Sequence, residues 1–153
     1  MVEISKKKSY GHFEKKGETF VITDVETPRH WYNYFFNNDY VSFTSQVGVG
    51  EGIAQDSMGR RIFLVSGRNV FLKTKDAAWS LFGLPINYGY TDYACAHENG
   101  ASTISLKYEG VKSAVRIFVP GEGKYEIWSV TAENTTNVEK ELSVIAYAKP
   151  EHI

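Results

Sequence analysis

Ser102-Thr103-Ile104-Ser105-Leu106-Lys107-Tyr108, then Glu109-Gly110, then Val111-Lys112-Ser113-Ala114-Val115-Arg116-Ile117-Phe118-Val119, is the stretch that decides the fold. Ile104, Leu106 and Tyr108 alternate with Thr103, Ser105 and Lys107 at period two, so one face of this segment is apolar. Glu109-Gly110 supplies a tight reversal of the hairpin kind. The second arm puts Val111, Val115, Ile117 and Val119 on one face and Lys112, Arg116 and Phe118 on the other, until Pro120-Gly121 ends it. Gly121 to Gly123 offers the next reversal, and Tyr125 to Ala132 and Glu141 to Ala148 read as two more strands around the Asn- and Thr-rich stretch Glu133 to Asn137. Four strands in succession predict an antiparallel meander.

The N-terminal half is less regular. Short apolar runs at Phe20 to Ile22, Val41 to Phe43, Ile62 to Val65 and Val70 to Leu72 stand between Gly, Asn and Asp clusters and read as strands with long connections. Lys75 to Leu81 is the one place where a helical turn is expected. Neither an internal repeat nor a low-complexity segment is evident. Eight or so short strands, each apolar on one face, predict an all-β antiparallel β-sandwich, because each sheet must cover that face against something. With 153 residues, 42% of them hydrophobic, the chain has material for a real core, and residues 1–153 are read as one sandwich domain or part of one.

The formal net charge of -1, with both signs interspersed, gives no broad positive field for phosphates or an anionic membrane surface. Nucleic acid and membrane are therefore not expected as partners. The basic cluster Lys6 to Lys8 is followed by Tyr10 and Gly11, not by the apolar run of a secretory leader. Cys95 is the only cysteine, which rules out an intrachain disulfide and a Cys-rich zinc site and leads to the expectation of a cytoplasmic protein.

The chemistry-bearing residues do not assemble into a catalytic signature. His12, His30, His97 and His152 lack the short spacings of metal-ligand pairs, and no cofactor is expected. Gly48, Gly50 and Gly52 are not followed by the helix that a phosphate cradle requires, so they read as a loop cluster. No G-x-S-x-G elbow occurs, and Cys95 lies in an alternating, strand-like run. Asp24, Asp39, Asp56, Asp76 and Asp92 read as turn or capping residues.

The densest constellation is Thr27-Pro28-Arg29-His30-Trp31-Tyr32-Asn33-Tyr34-Phe35, followed by Asn37-Asn38-Asp39. Ring faces cover the C–H patches of a pyranose while amides and carboxylates read its hydroxyls, so this composition fits a sugar. It also fits an aromatic minicore beneath a loop. Arg29, Trp31, Tyr32, Asn33, Tyr34 and Trp79 are the candidate carbohydrate contacts, and no catalytic residue is assigned.

Tyr10-Gly11-His12-Phe13, Phe20-Val21-Ile22-Thr23, Thr27 to Tyr34, Ser45-Gln46-Val47-Gly48-Val49-Gly50, Asp56 to Ile62 with Arg60 and Arg61, Trp79-Ser80, Tyr93 to His97, Phe118-Val119-Pro120 and Glu126-Ile127-Trp128 run in a recognisable order over nearly the whole chain. This succession resembles the start of glycoside hydrolase family 94, formerly glycosyltransferase family 36, the cellobiose phosphorylase-like enzymes. The sequence departs from that family at Glu98-Asn99-Gly100-Ala101, where a Gly-Tyr-Thr stretch is frequent, and in a shorter loop after Asp56.

The resemblance implies part of a supersandwich, galactose-mutarotase-like in its β-architecture, with the catalytic Asp of the family in an (α/α)6 barrel that this chain lacks. It implies a non-catalytic, carbohydrate-associated N-terminal domain of an inverting phosphorylase, serving as scaffold, dimer contact or cleft wall. The alternative is a free-standing carbohydrate-binding module. The expected partners are a β-glucosyl disaccharide or oligosaccharide, a second copy of the chain, or the absent catalytic domain. A sandwich left with open strand edges would also favour self-association.

Overall fold

The quoted hairpin forms with the expected register. In the computed structural model, which describes residues 8–84 and 89–152 (of 152 the backbone alone), Tyr108 pairs with Val111, Leu106 with Ser113 and Ile104 with Val115. Glu109 and Gly110 both take positive φ, 48° and 73°, as the tight two-residue turn between twisted strands demands. Ile104, Leu106, Val111, Val115 and Ile117 are buried, whereas Lys112 and Arg116 face solvent. Of the Lys6 to Lys8 cluster, Lys6 and Lys7 lie outside the described residues, and Lys8 pairs with Asp24 at 2.6 Å.

The strands are β1 (Gly11–Glu14), β2 (Thr19–Ile22), β3 (Tyr32–Phe36), β4 (Tyr40–Ser45), β5 (Gly50–Gln55), β6 (Arg61–Lys73), β7 (Ala78–Ser80), β8 (Thr91–Glu98), β9 (Ala101–Tyr108), β10 (Val111–Phe118), β11 (Ile127–Asn134) and β12 (Ser143–His152). One sheet runs β1-β2-β8-β9-β10-β11 and the other β12-β6-β5-β4-β3, with β7 added to β6. All pairings are antiparallel. The core lies between the sheets, with Ile22, Cys95, Ile104 and Ile117 from the first and Phe35, Val70, Leu72 and Trp79 from the second.

Four expectations change. The meander exists, but its four strands are β8 to β11, and the Glu141 to Ala148 strand leaves it as part of β12 to pair with β6. Alternation identifies a strand without naming its partner, and pairing with the sequence neighbour is only a majority tendency. Ile62 to Val65 and Val70 to Leu72 belong to the single strand β6, whose polar interruption Ser66 to Asn69 hides the continuity. Lys75 to Leu81 forms no helical turn; Thr74 N–H donates to Ala77 O at 2.8 Å, reversing the chain into β7. The glycine cluster is largely strand, since Gly50 and Gly52 lie in β5.

Those two glycines are explained by what they face. Arg68 of β6 and Glu126 of the β10–β11 connection form an ion pair with side chains 0% and 6% exposed, Arg68 Nη1 lying 2.8 Å from Glu126 Oε2. Nη1 also donates to Ser42 Oγ at 2.9 Å and Nη2 to Phe43 O at 2.5 Å, while Trp128 Nε1 donates to Glu126 Oε1 at 2.8 Å. A methyl group at Gly50 would come within 2.7 Å of Arg68 Nη2 and overlap the Phe43 carbonyl, and one at Gly52 would overlap the Tyr40 hydroxyl. Burial, with the Glu126 charge nearby, pushes the Tyr40 phenol well above its usual range. Asn37 Nδ2 fastens the same connection through Pro120 O and Gly123 O, both at 2.9 Å.

Removing one member of such a pair leaves the other charge buried alone. Arg68→Met is expected to lower the unfolding free energy by about 3–5 kcal/mol in urea melts. Combining it with Glu126→Leu is expected to restore much of that loss, and a double variant no more stable than the single one would show that the charges are not the coupled element.

Candidate functional site

Strand alternation divides the aromatic stretch between two faces. Asn33 and Phe35 point inward along β3, whereas Tyr32, Tyr34 and Phe36 are 40%, 59% and 72% exposed. Asn33 Nδ2 donates to Glu98 O and Ala101 O, each at 2.8 Å, and approaches Ser102 Oγ at 3.1 Å, so its amide nitrogen holds the β8–β9 turn. Trp31 is half-buried, its ring 5.6 Å from Phe20 and 6.0 Å from Tyr10. The Trp31 main-chain N–H donates to Gln46 Oε1 at 3.0 Å, and the Gln46 amide nitrogen donates to Thr27 Oγ1 at 2.5 Å, so buried Gln46 secures the 25–31 segment.

Trp79, proposed from the sequence as a sugar contact, is 1% exposed and packs its ring 5.2 Å from Tyr108. Its place on β7 turns it into the core, and it offers no ring face to a ligand. Of the six candidates, Arg29, Tyr32 and Tyr34 remain on the surface, while Asn33 and Trp31 serve the packing beneath them.

Tyr32 and Tyr34 flank Phe43 of β4. Tyr34 stacks on it at 5.3 Å and 27°, and Tyr32 meets it edge-on at 5.5 Å. Next to this face opens a groove of about 560 Å³ lined by Tyr32, Phe43, Gly48, Glu51, Ser66 and Asn69, among others. Phe43, Glu51 and Ser66 were not singled out from the sequence. Phe43 sits in a run already read as a strand, and the register pairs it with both Tyr34 and Glu51. Cross-strand pairing of that kind is invisible to a reading along the chain.

A second polar cluster lies inside. His97 Nε2 lies 3.0 Å from the Trp31 carbonyl, which accepts only, so Nε2 carries the proton and Nδ1 accepts from Ser102 Oγ at 2.8 Å. Ser102 and Cys95 are both fully buried, and burial pushes the Cys95 thiol far above its ordinary range. Neither is presented to a substrate. Glu98 is held between Lys15 and Arg116 at 2.7 and 2.6 Å, and these bonds keep its carboxyl below the usual range. Asp24 accepts from the Glu26 N–H and Asp56 from the Met58 and Arg60 N–H groups, as turn carboxylates do. Among the described residues no group of three or more His, Cys, Asp or Glu is gathered to hold a metal ion, and no helix is long and apolar enough to cross a membrane.

Residues 18–152 match the family model described as the glycosyl hydrolase 94 supersandwich domain. The chain belongs to this family. It is 34% identical over 139 residues to the 3-O-beta-D-glucopyranosyl-beta-D-glucuronide phosphorylase of Paenibacillus borealis, a match covering 89% of this chain and 18% of that protein. Similarity to the solabiose phosphorylase of the same organism is 30% over 152 residues, covering 92% and 20%. To the N,N'-diacetylchitobiose phosphorylase of Vibrio proteolyticus it is 24% over 152 residues, covering 92% and 19%. The chain thus spans about a fifth of the length of these relatives.

In this glycosyl hydrolase 94 supersandwich chain the internal His97 cluster sets a pH dependence. Burial holds the His97 imidazole below its usual range, partly opposed by its bond to the Trp31 carbonyl. As pH falls through about 6.5 the unfolded chain takes up a proton at this position and the folded chain does not, so stability is lost from there down to the depressed native value. Unfolding midpoints between pH 7.5 and 5 (working values spanning about 6.5) are expected to fall less steeply for His97→Gln than for the unaltered chain. Trp31→Ala is expected to cost about 2 kcal/mol of stability, less than a fully buried ring. A Trp31→Ala chain as stable as the parent would mean the indole is not part of the packing.

Proposed function

We propose that this chain is the non-catalytic, carbohydrate-associated front portion of an inverting glycoside phosphorylase of the cellobiose phosphorylase-like kind. The observation that carries the reading is the family match over residues 18–152, joined to relatives that are all named phosphorylases and are about five times longer. Inverting phosphorolysis needs an acid to protonate the glycosidic oxygen while phosphate attacks the opposite face of the sugar. Among the described residues the groove beside Tyr32 contains a single carboxylate, Glu51, and one arginine, Arg68, which is already committed to Glu126. The buried Ser102 and Cys95 are shielded from any substrate.

The role of the chain is that of scaffold, subunit contact or wall beside a catalytic cleft. A scaffold role is supported by the buried tie that fixes the β10–β11 connection to the second sheet. A contact role is supported by exposed apolar side chains on and around β11 and β12, including Ile127, Val138, Val144 and Tyr147. A lone, buried Cys95 agrees with a cytoplasmic setting. The alternative, a free-standing carbohydrate-binding module, is favoured by the outward Tyr32–Phe43–Tyr34 face.

The deciding experiment incubates the pure chain with cellobiose and inorganic phosphate and assays glucose 1-phosphate. No release above the protein-free control is expected. Phosphate-dependent release that scales with the concentration of the chain would overturn the non-catalytic reading.

A further inference from the structure

The β5–β6 ladder stops at the Gly52–Val65 pair, although β5 continues to Gly50 and β6 to Lys73. The same edge of β6 is taken up again only at Phe71, which pairs with Ser80 of β7. Between these points Ser66 to Asn69 have no partner strand on that side among the described residues, and the groove lies over the gap. On the opposite edge β12 pairs with Gly67, Arg68 and Asn69, while Ser66 falls at the register shift and is left out of both ladders.

Val70 O accepts from Leu81 N at 2.8 Å along the β7 edge. Main-chain groups two residues apart in an antiparallel strand point the same way, so the N–H and C=O of Arg68 also face that edge, where no strand among the described residues answers them. Around this donor and acceptor stand a half-buried Glu51 carboxylate, which pairs with no cation among the described residues, and the Ser66 hydroxyl, which donates to Glu151 Oε1 at 2.6 Å and keeps its lone pairs available. Tyr32 and Phe43 supply the ring wall.

We propose that this gap in the ladder is a binding site for a neutral pyranoside. A ring C–H face lies against Tyr32 and Phe43, and the hydroxyls, each both donor and acceptor, bridge the Glu51 carboxylate and the open main chain of Arg68. The volume of about 560 Å³ is of the size that holds small molecules. The gap is bounded at one end by the Gly52–Val65 pair and at the other by Phe71–Ser80. The Glu51 carboxylate sets the selectivity: it accepts hydrogen bonds from hydroxyls and repels a uronate or sugar phosphate. That the sugar is a β-glucoside rests on the function proposed above; that it is neutral rests on Glu51.

The test is an amide NMR titration of the 153-residue chain with cellobiose and, separately, with glucuronate. Saturable shifts are expected at Gly48, Gly50 and Gly67 with cellobiose, with glucuronate at least about tenfold weaker. Tyr32→Ala should weaken cellobiose about tenfold while Tyr32→Phe retains it, and Glu51→Gln should bring the two sugars close to parity. Folding of each variant is read from the same spectra. Flat spectra of the folded chain at millimolar cellobiose, shifts mapping away from the groove, or glucuronate binding as tightly as cellobiose would each overturn the proposal. None of these outcomes alters the phosphorolysis assay, so failure of the site and failure of the non-catalytic reading are distinguishable.

Discussion

The Arg68–Glu126 pair is the constraint around which the second sheet and the β10–β11 connection are arranged. A guanidinium removed from water needs hydrogen bonds inside the protein, and here Ser42, Phe43 O and both Glu126 oxygens serve its two terminal nitrogens, while Nε is buried without a partner among the described residues. That requirement reaches outward. Residues 50 and 52 must lack side chains, Ser42 must be small and polar, and Trp128 must sit where its indole can satisfy the remaining carboxylate lone pair. Lysine could not take the place of Arg68, because one ammonium cannot span the Phe43 carbonyl and the Glu126 carboxylate with the same fork.

Apolar alternation made the β9–β10 hairpin legible, since side-chain period and turn chemistry agreed there. The strand in the 141–148 region was equally legible as a strand, yet its partner was not, because nothing local distinguishes a fourth meander strand from one that crosses to the other sheet. Gly50 and Gly52 read as loop for a physical reason: glycine is poor in strands unless a neighbour needs the space, and the neighbours, Arg68 at Gly50 and Tyr40 at Gly52, come from other strands. Ser66 to Asn69 misled in the same way, as a polar interruption in a strand whose polar side chain is the buried one.

The aromatic stretch carried two readings, a minicore and a sugar-facing surface, and strand geometry distributes them. Trp31, Asn33 and Phe35 belong to the packing, while Tyr32 and Tyr34 project outward. A period-two element allows both at once. Trp79 shows the limit of residue type as a guide, because three residues of strand on the edge of β6 turn it wholly inward.

Position 68 answers to two masters that share no atoms, with its side chain in the core and its main chain at the surface gap. Glu51 and Ser66, across the same opening, carry no such double duty. If this surface is retuned for different ligands as sequences diverge, drift is channelled: exchange accumulates at 32, 51 and 66, whereas 42, 50, 52, 68 and 126 change together or stay fixed. The groove can thus acquire new preferences without the core having to be rebuilt.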